Sequence, residues 1–540
     1  MGVEHGGDGK QKTHSPNDTK TSQIDHQSAW TWQFISVLVI SYTSMSALTY
    51  VVVCLNAPTE LIKQFINDTN VKNREEALSK EEVESLFGLL VAVVGIGSIV
   101  GCLTAASIAD AIGRKFGIFL SSVTGACGTL IMALAETAGS YEMLFVGRVV
   151  LGVGLGWNLT IAPSYLAEMC RPSMKAFAVV LNMLFQSFAF IVAQVLGYEE
   201  FLGNKEHWSL LIGLPVVVIA VHLLLLMFCP ESPRYLLMKK SDYEGAKAAL
   251  RKIRGIKDVQ YDIDLLNEEL AESTVDAQIS VIGLAKSPVL RKPLIIAIVL
   301  GLQQNWCGTN AILFFSTSLF EDAGVSTKDA RYATSGTGII FFICNIVSIA
   351  IIPRFGRKTI FTAGTLGMGL ASAVIAITMV YKDEVEALKY VNVCVSLLIV
   401  ASYALGPICV FWTMLSELFP HSARSAGFGV AVTGAFTGYF VHCYVFPEML
   451  NTMHSYTFFV FAVIDVLTAV FVVMYIPETK NKSFAEIAST WTYAPATQTA
   501  TPDSDAVLYP KEIVIEPASK DVPEIRFSPP HFNSVKRDQE

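Results

Sequence analysis

Apolar stretches of about 20 residues recur along this chain, divided by short polar segments that carry most of its charge. That length is what a helix needs to cross a hydrocarbon core of about 30 Å. The pattern predicts spans at 32–55, 86–109, 117–137, 144–166, 178–198 and 208–229, then at 290–320, 332–353, 358–381, 389–415, 425–447 and 455–477. The expected fold is an all-α membrane protein with twelve transmembrane helices in two six-helix halves. Between the halves, Tyr243 to Ile253 and Ile263 to Ser273 mix charged and apolar residues at helical spacing, predicting short amphipathic helices in a linker. The organisation is therefore a polar arm at 1–29, a first half at 30–229, the linker at 230–288, a second half at 289–480 and a tail at 481–540. The arm and the tail, the latter rich in Thr, Pro, Ser and Asp, have the composition of disordered segments.

An even number of crossings puts both ends on one side. The loops after the even spans carry Arg114 and Lys115, Arg171 and Lys175, the basic linker, then Arg354, Arg357 and Lys358, and finally Arg424. The opposite loops hold Glu136 and Glu142, Glu199 and Glu200, Glu321 and Asp322. By the positive-inside rule the basic loops and both termini are cytoplasmic. The loop at 56–85 is then outside, where Asn67-Asp68-Thr69 is an acceptor for a glycan, as suits a plasma-membrane protein. The sequons at Asn17, Asn158 and Asn481 fall in the cytoplasm or the membrane and stay bare.

Composition agrees and excludes other classes. Of 540 residues, 52% are hydrophobic and 16% charged, against roughly 25% charged in soluble domains. The mean hydropathy is +0.48. A net charge of -8, with basic residues confined to short loops, argues against nucleic acid as a partner. Residues 1–29 lack the apolar core of a cleavable signal. The ten cysteines form no CxxC pair and fall mostly inside spans, as small packing residues do. No GxxxxGK[ST] loop exists, and Gly95-x-Gly97-x-x-x-Gly101 lies inside an apolar span, where small residues let helices approach. No nucleotide, cofactor or metal is expected, and nothing reads as an enzyme's catalytic cluster.

The two halves repeat one another. Gly113-Arg114-Lys115 returns as Gly356-Arg357-Lys358, Glu168 as Glu417, and Pro230-Glu231-Ser232 as Pro477-Glu478-Thr479, each after about 245 residues. Each landmark stands at a basic span end. A duplicated six-helix unit around a central cavity is a transporter architecture. Gly152, Gly154 and Gly156 in the fourth span predict tight packing against a neighbour.

These residues carry a resemblance. Asp110-x-x-Gly113-Arg114-Lys115, Gly147-Arg148, Pro163-x-Tyr165-x-x-Glu168 and Pro230-Glu231-Ser232-Pro233-Arg234 resemble the sugar-porter branch of the major facilitator superfamily. So do Gln304 through Asn310, Gly406-Pro407 with Trp412 and Glu417, and Pro477-Glu478-Thr479-Lys480. Asn56-Ala57-Pro58 followed by the Asn67 sequon is similar to the first outer loop of animal facilitative glucose transporters. The resemblance covers about 30–487 and implies the major facilitator fold, alternating access and a small neutral sugar-like substrate. It implies a cytoplasmic charge latch of Asp110, Arg114, Arg148, Glu168, Arg171, Glu231, Arg234, Arg357, Glu417 and Arg424. In it, Arg114 and Arg357 pair with Glu168 and Glu417 when the protein faces outward. The second repeat has Pro353 where the family often carries an acid, so its half of the latch is expected to be weaker.

For substrate, the resemblance implies Gln304, Asn305, Asn310 and Trp412, with Phe314 and Phe315 as an outer gate. Positions where the family is polar are apolar here: Val51, Met183, Phe341, Ala404 and Val441. Asn182, Gln186 and Asn345 stand close enough in sequence to substitute, as do Thr437 and His442. The cavity is thus expected to be more apolar than a glucose site, which leaves open a different solute or a sugar sensor that does not transport. Nothing from Thr31 to Cys54 is acidic, whereas proton-coupled relatives carry an acid in the first span. Asp465 is the lone intramembrane carboxylate, read as a structural residue in preference to a proton site. The expected activity is uniport.

Overall fold

The computed structural model describes residues 31–490 except 75–76, 171–174, 276–278, 280, 383, 481 and 483. The expected arm, the tail beyond 490, the sequons at Asn17 and Asn481, and Arg171 of the latch lie outside the described residues. All regular structure among the described residues is helical. Twelve long runs follow the apolar stretches: Trp32–Val53, Lys80–Ile112, Arg114–Ala133, Glu142–Met169, Lys175–Leu196 and Trp208–Leu226, then 291–322, Thr327–Ile351, Arg357–Val380, 388–418, His421–Met453 and Thr457–Tyr475. Nine segments among the described residues are long and apolar enough to cross a bilayer, and one of them, Ala426–Tyr475, contains the eleventh and twelfth runs. The two runs outside the nine are the fifth and the seventh.

Several spans are broken where the sequence read them as continuous. The seventh divides into Arg291–Gln303 and Thr309–Asp322, with Gly308 at φ 73° in the left-handed region glycine tolerates. The tenth divides at Gly406 before Pro407, whose ring cannot extend the preceding helix. Irregular backbone at membrane depth survives only where protein covers it. Both breaks are covered: Cys307, Gly406 and Ala404 are buried.

The segment at 56–85 is not a plain loop. Thr59–Arg74 is a helix, because Ile62 and Ile66, one turn apart, give it a fully buried apolar edge. Ser79 then starts the second span with a capping box to Glu82.

Within the first half, spans two and four approach backbone to backbone. A Cβ on Gly152 would lie 2.3 Å from the Val94 carbonyl oxygen, and one on Gly97 2.2 Å from that of Val149. The halves meet where the second span packs on the eleventh and the fifth on the eighth. The linker forms Pro233–Lys240, Tyr243–Arg254, Gln260–Val275 and Val281–Lys286. It docks through Arg254, which pairs with Asp262 at 3.0 Å and donates from Nη1 to the Met169 carbonyl at 3.0 Å, where span four ends.

Candidate functional site

The basic end of the bundle carries two charge knots, one per half. In the first, Arg114 Nε donates to both Glu168 oxygens at 3.2 and 3.1 Å, and its Nη1 reaches Asp110 at 3.1 Å. Ser232 donates its hydroxyl to Glu168. Glu231 accepts the backbone N–H groups of Arg114 and Lys115 at 3.1 and 3.0 Å, capping the third span with negative charge. Gly113 makes room for this cap: its φ is 99°, and a Cβ there would sit 2.5 Å from Glu231 Oε2. Arg234 is half-buried and close enough for its charge to act on Glu168.

The second knot repeats the first group by group. Arg357 Nη2 meets Glu417 at 3.4 Å, Thr479 donates to Glu417, and Glu478 accepts the Arg357 N–H at 2.8 Å. Even the lysines match: Lys115 donates to the Met227 carbonyl and Lys358 to that of Val473. The difference lies where Asp110 has no counterpart, since Arg357 Nε is buried without an acceptor. Arg424 stands exposed at the start of the eleventh span. Both knots are closed within their own halves.

Arg148 does not belong with them. It lies six residues into the fourth span, which enters from the opposite end, and it is fully buried with Nη1 on the Val52 carbonyl at 3.3 Å. A Gly-Arg pair at a span end gives no sign of which end it occupies, so the motif alone misplaced it in the latch.

Three of the amides expected to bind substrate gather at the break in the seventh span. Gln304 donates to the Pro407 carbonyl at 3.3 Å and accepts the Tyr403 hydroxyl at 3.2 Å, both on the tenth span beside its own break. Asn305 donates to the Ala435 carbonyl of the eleventh span at 2.6 Å, and its Oδ1 accepts from Asn310 at 2.7 Å. All these partners are neutral. Asn345 is held by the Cys409 thiol, with Nδ2 unpartnered.

Among the described residues, the other candidates share no hydrogen bond with Gln304, Asn305 or Asn310. Asn182 is buried with Oδ1 unpartnered, and Gln186 is half-buried one turn on. Trp412 packs between Phe411 and Phe428 with its indole N–H unpartnered. Thr437 is exposed and spends its hydroxyl on the Thr433 carbonyl, while His442 stacks among Trp306, Phe446 and Phe461. Tyr403 and Cys409 escaped the sequence reading because neither lies in a motif; only the folded tenth span brings them to the amides.

At the end opposite the knots the halves are bolted together. Asn56 donates to the Leu313 carbonyl and to Ser316, each at 3.0 Å. Phe315 packs edge-on against Phe87 at 6.3 Å, and the Tyr439 hydroxyl, which sits edge-on to Phe314 of its own half at 5.4 Å, donates to the Val91 carbonyl at 3.3 Å. Glu199 pairs with Arg331 and Glu200 with Lys328, both at 3.4 Å. Asn67 is half-buried in the Thr59–Arg74 helix, with Thr69 buried beside it. Asn158 is buried and donates to Ser44 and Ser121.

The chain matches the family model described as "Sugar (and other) transporter" over residues 36–491. It is 33% identical over 433 residues to the facilitated glucose transporter member 3 of Oryctolagus cuniculus, covering 80% of this chain and 87% of that one. Member 1 from Gallus gallus is 31% identical over 450 residues, covering 83% and 91%. The fold matches the xylose transporter XylE from E. coli in a partially occluded inward open conformation. That likeness has a TM-score of 0.71 at 22% identity and covers 84% of this chain and 100% of XylE. With a duplicated set of knots, broken helices around neutral amides and these relatives, the chain belongs to the sugar-porter family of the major facilitator superfamily.

Proposed function

We propose that this protein is a uniporter that carries a hexose or similar small neutral polyol across the membrane by alternating access. The observation that carries this reading is the neutral amide cluster of Gln304, Asn305 and Asn310 at the break of span seven. A neutral polyol needs paired donors and acceptors in an otherwise apolar cleft, and no charge. The amides now satisfy one another and nearby carbonyls, bonds that a sugar's hydroxyls would exchange for their own. Bolts between the halves at the Asn67 end, with knots confined to each half at the other, support a cycle in which one mouth opens at a time.

Orientation follows the charges: the knots face the cytoplasm, and Asn67 faces outward as the glycan acceptor of a plasma-membrane protein. Uniport is supported by a first span with no acid. Asp465 lies in span twelve near Gln303 and against Gly369, with both carboxylate oxygens buried and unpartnered, and its span packs on spans of the second half. The test is uptake of radiolabelled glucose into proteoliposomes. Saturable uptake that survives a protonophore supports the reading, and accumulation that collapses under it refutes uniport. A second reading, a sugar sensor that keeps the fold, draws on Phe341, which stacks with Tyr403 at 6.4 Å and packs against Phe190 at 5.7 Å where an amide was expected. Ligand-induced stabilisation without uptake would favour it.

A further inference from the structure

Arg148 is fully buried, yet only one of its nitrogens has a partner. Nη1 donates to the Val52 carbonyl, while Nε and Nη2 have no acceptor. The groups near enough to act on its charge are the Cys54 thiol of span one and, from span eleven, Tyr439 and the Cys443 thiol. These are neutral at physiological pH, with thiols titrating near 8.5 and phenols near 10 in their ordinary state. None of the ion pairs among the described residues includes Arg148. A buried cation left without a counter-charge is costly, and such residues inside membranes mark functional sites.

The position says what that function is. Arg148 lies between the first half and span eleven, on the seam where the two halves meet. Tyr439, beside it, packs edge-on against Phe314 of span seven, and Ala435, one turn earlier on span eleven, holds the Asn305 amide. The guanidinium therefore shares one helix wall with the sugar-type cluster. Its two free nitrogens form a fork that can donate together to one anion.

We propose that Arg148 forms one wall of an anion site at this seam. The site takes either a small inorganic anion or the anionic group of a sugar-sized solute when the halves part at the Asn67 end. In the closed arrangement described here the fork faces only neutral groups, so an anion bound there would supply the missing counter-charge. This inference does not rest on the neutral-hexose reading, because it is tested by binding and not by uptake.

The full-length protein in nanodiscs is heated while its intrinsic tryptophan fluorescence is followed. Chloride, glucuronate and glucose are titrated separately, with ionic strength held constant by a bulky organic sulfonate. The unfolding midpoint is expected to rise by several degrees and saturate with an anion, since a ligand that binds only the folded state stabilises it. A rise with chloride identifies an inorganic ion, and a rise with glucuronate alone identifies the solute as the source. Cys54→Asp places a carboxylate beside the guanidinium. It is expected to raise the midpoint in anion-free buffer and to abolish the anion response, as Arg148→Gln also abolishes it. A wild-type midpoint flat to both anions overturns the proposal, as does an undiminished anion response in Cys54→Asp. A midpoint that moves with glucose alone overturns the anion site while leaving the neutral-solute reading intact.

Discussion

Arg357 reaches Glu417 at 3.4 Å through a single nitrogen, whereas Arg114 grips both oxygens of Glu168 through Nε and holds Asp110 as well. The two knots descend from one plan, and their inequality traces to Pro353 standing where Asp110 stands in the first. Glu168→Gln should therefore destabilise the fold more than Glu417→Gln, by about 1–3 kcal/mol, because Glu168 accepts from Arg114 through both oxygens and Glu417 meets Arg357 through one. Pro353→Asp should recover a few tenths of a kcal/mol, the usual size of an exposed pair. Melting curves of the three variants in one detergent give the order directly.

Asn305 uses both ends of its amide, one on Ala435 and one on Asn310. Asn305→Ala removes hydrogen bonds of about 0.5–1.5 kcal/mol each, so hexose affinity should fall roughly 2–12-fold per lost bond. Asn305→Gln should restore part of it. Uptake into proteoliposomes over a range of glucose concentrations separates a change in affinity from a change in maximal rate.

Asn56 ties the first half to the second through Leu313 and Ser316. Its replacement by Ala should raise the share of molecules open at that end. A cysteine placed at Leu313, whose backbone carbonyl can still accept from Asn56, in a background lacking reactive thiols should then react faster with an impermeant maleimide. Unchanged reactivity would mean the bolt does not hold the closure.

The rim pair of Glu200 and Lys328 adds a pH dependence to the same closure. The Glu200 carboxyl is held below its ordinary range first by its own backbone N–H, then by Lys328. A lowered carboxyl favours the folded pair above its ordinary value of about 4.3 and loses it as pH falls further. Measured relative to a freely exposed cysteine, whose thiolate fraction sets the common pH slope, the maleimide reaction should therefore be flat from pH 8 to 5, and Glu200→Lys should accelerate it throughout that range.

Gly152 lies against the Val94 carbonyl with no room for a side chain. Gly152→Val should force spans two and four apart and cost about 1–3 kcal/mol or more. Expression yield and monodispersity of the variant, compared with a substitution at the uncrowded Gly429, check whether the close approach is required.

Much of this was legible along the chain because it repeats locally. Apolar length marked the stretches that become long helices, and the recurrence of Gly-Arg-Lys, Glu and Pro-Glu-Ser/Thr marked the paired helix ends where both knots lie. The helix at Thr59–Arg74 was missed because Ile62 and Ile66 alone are a thin apolar edge in a polar segment. The breaks in spans seven and ten were missed because uniform apolarity hides a kink whose polar backbone is covered by other spans.

The sequence alone determined the class, the duplication and the residue types at each knot, because hydrophobic length and charge at span ends are read one segment at a time. Only the tertiary structure decided which partners those residues have. It moved Arg148 from the basic knots to the seam, set Tyr403 on Gln304 and Ala435 on Asn305, and closed the halves through Asn56. The reason is physical: a span end or an amide carries no record of the distant helix that will face it, and that choice is made only when all the spans pack together.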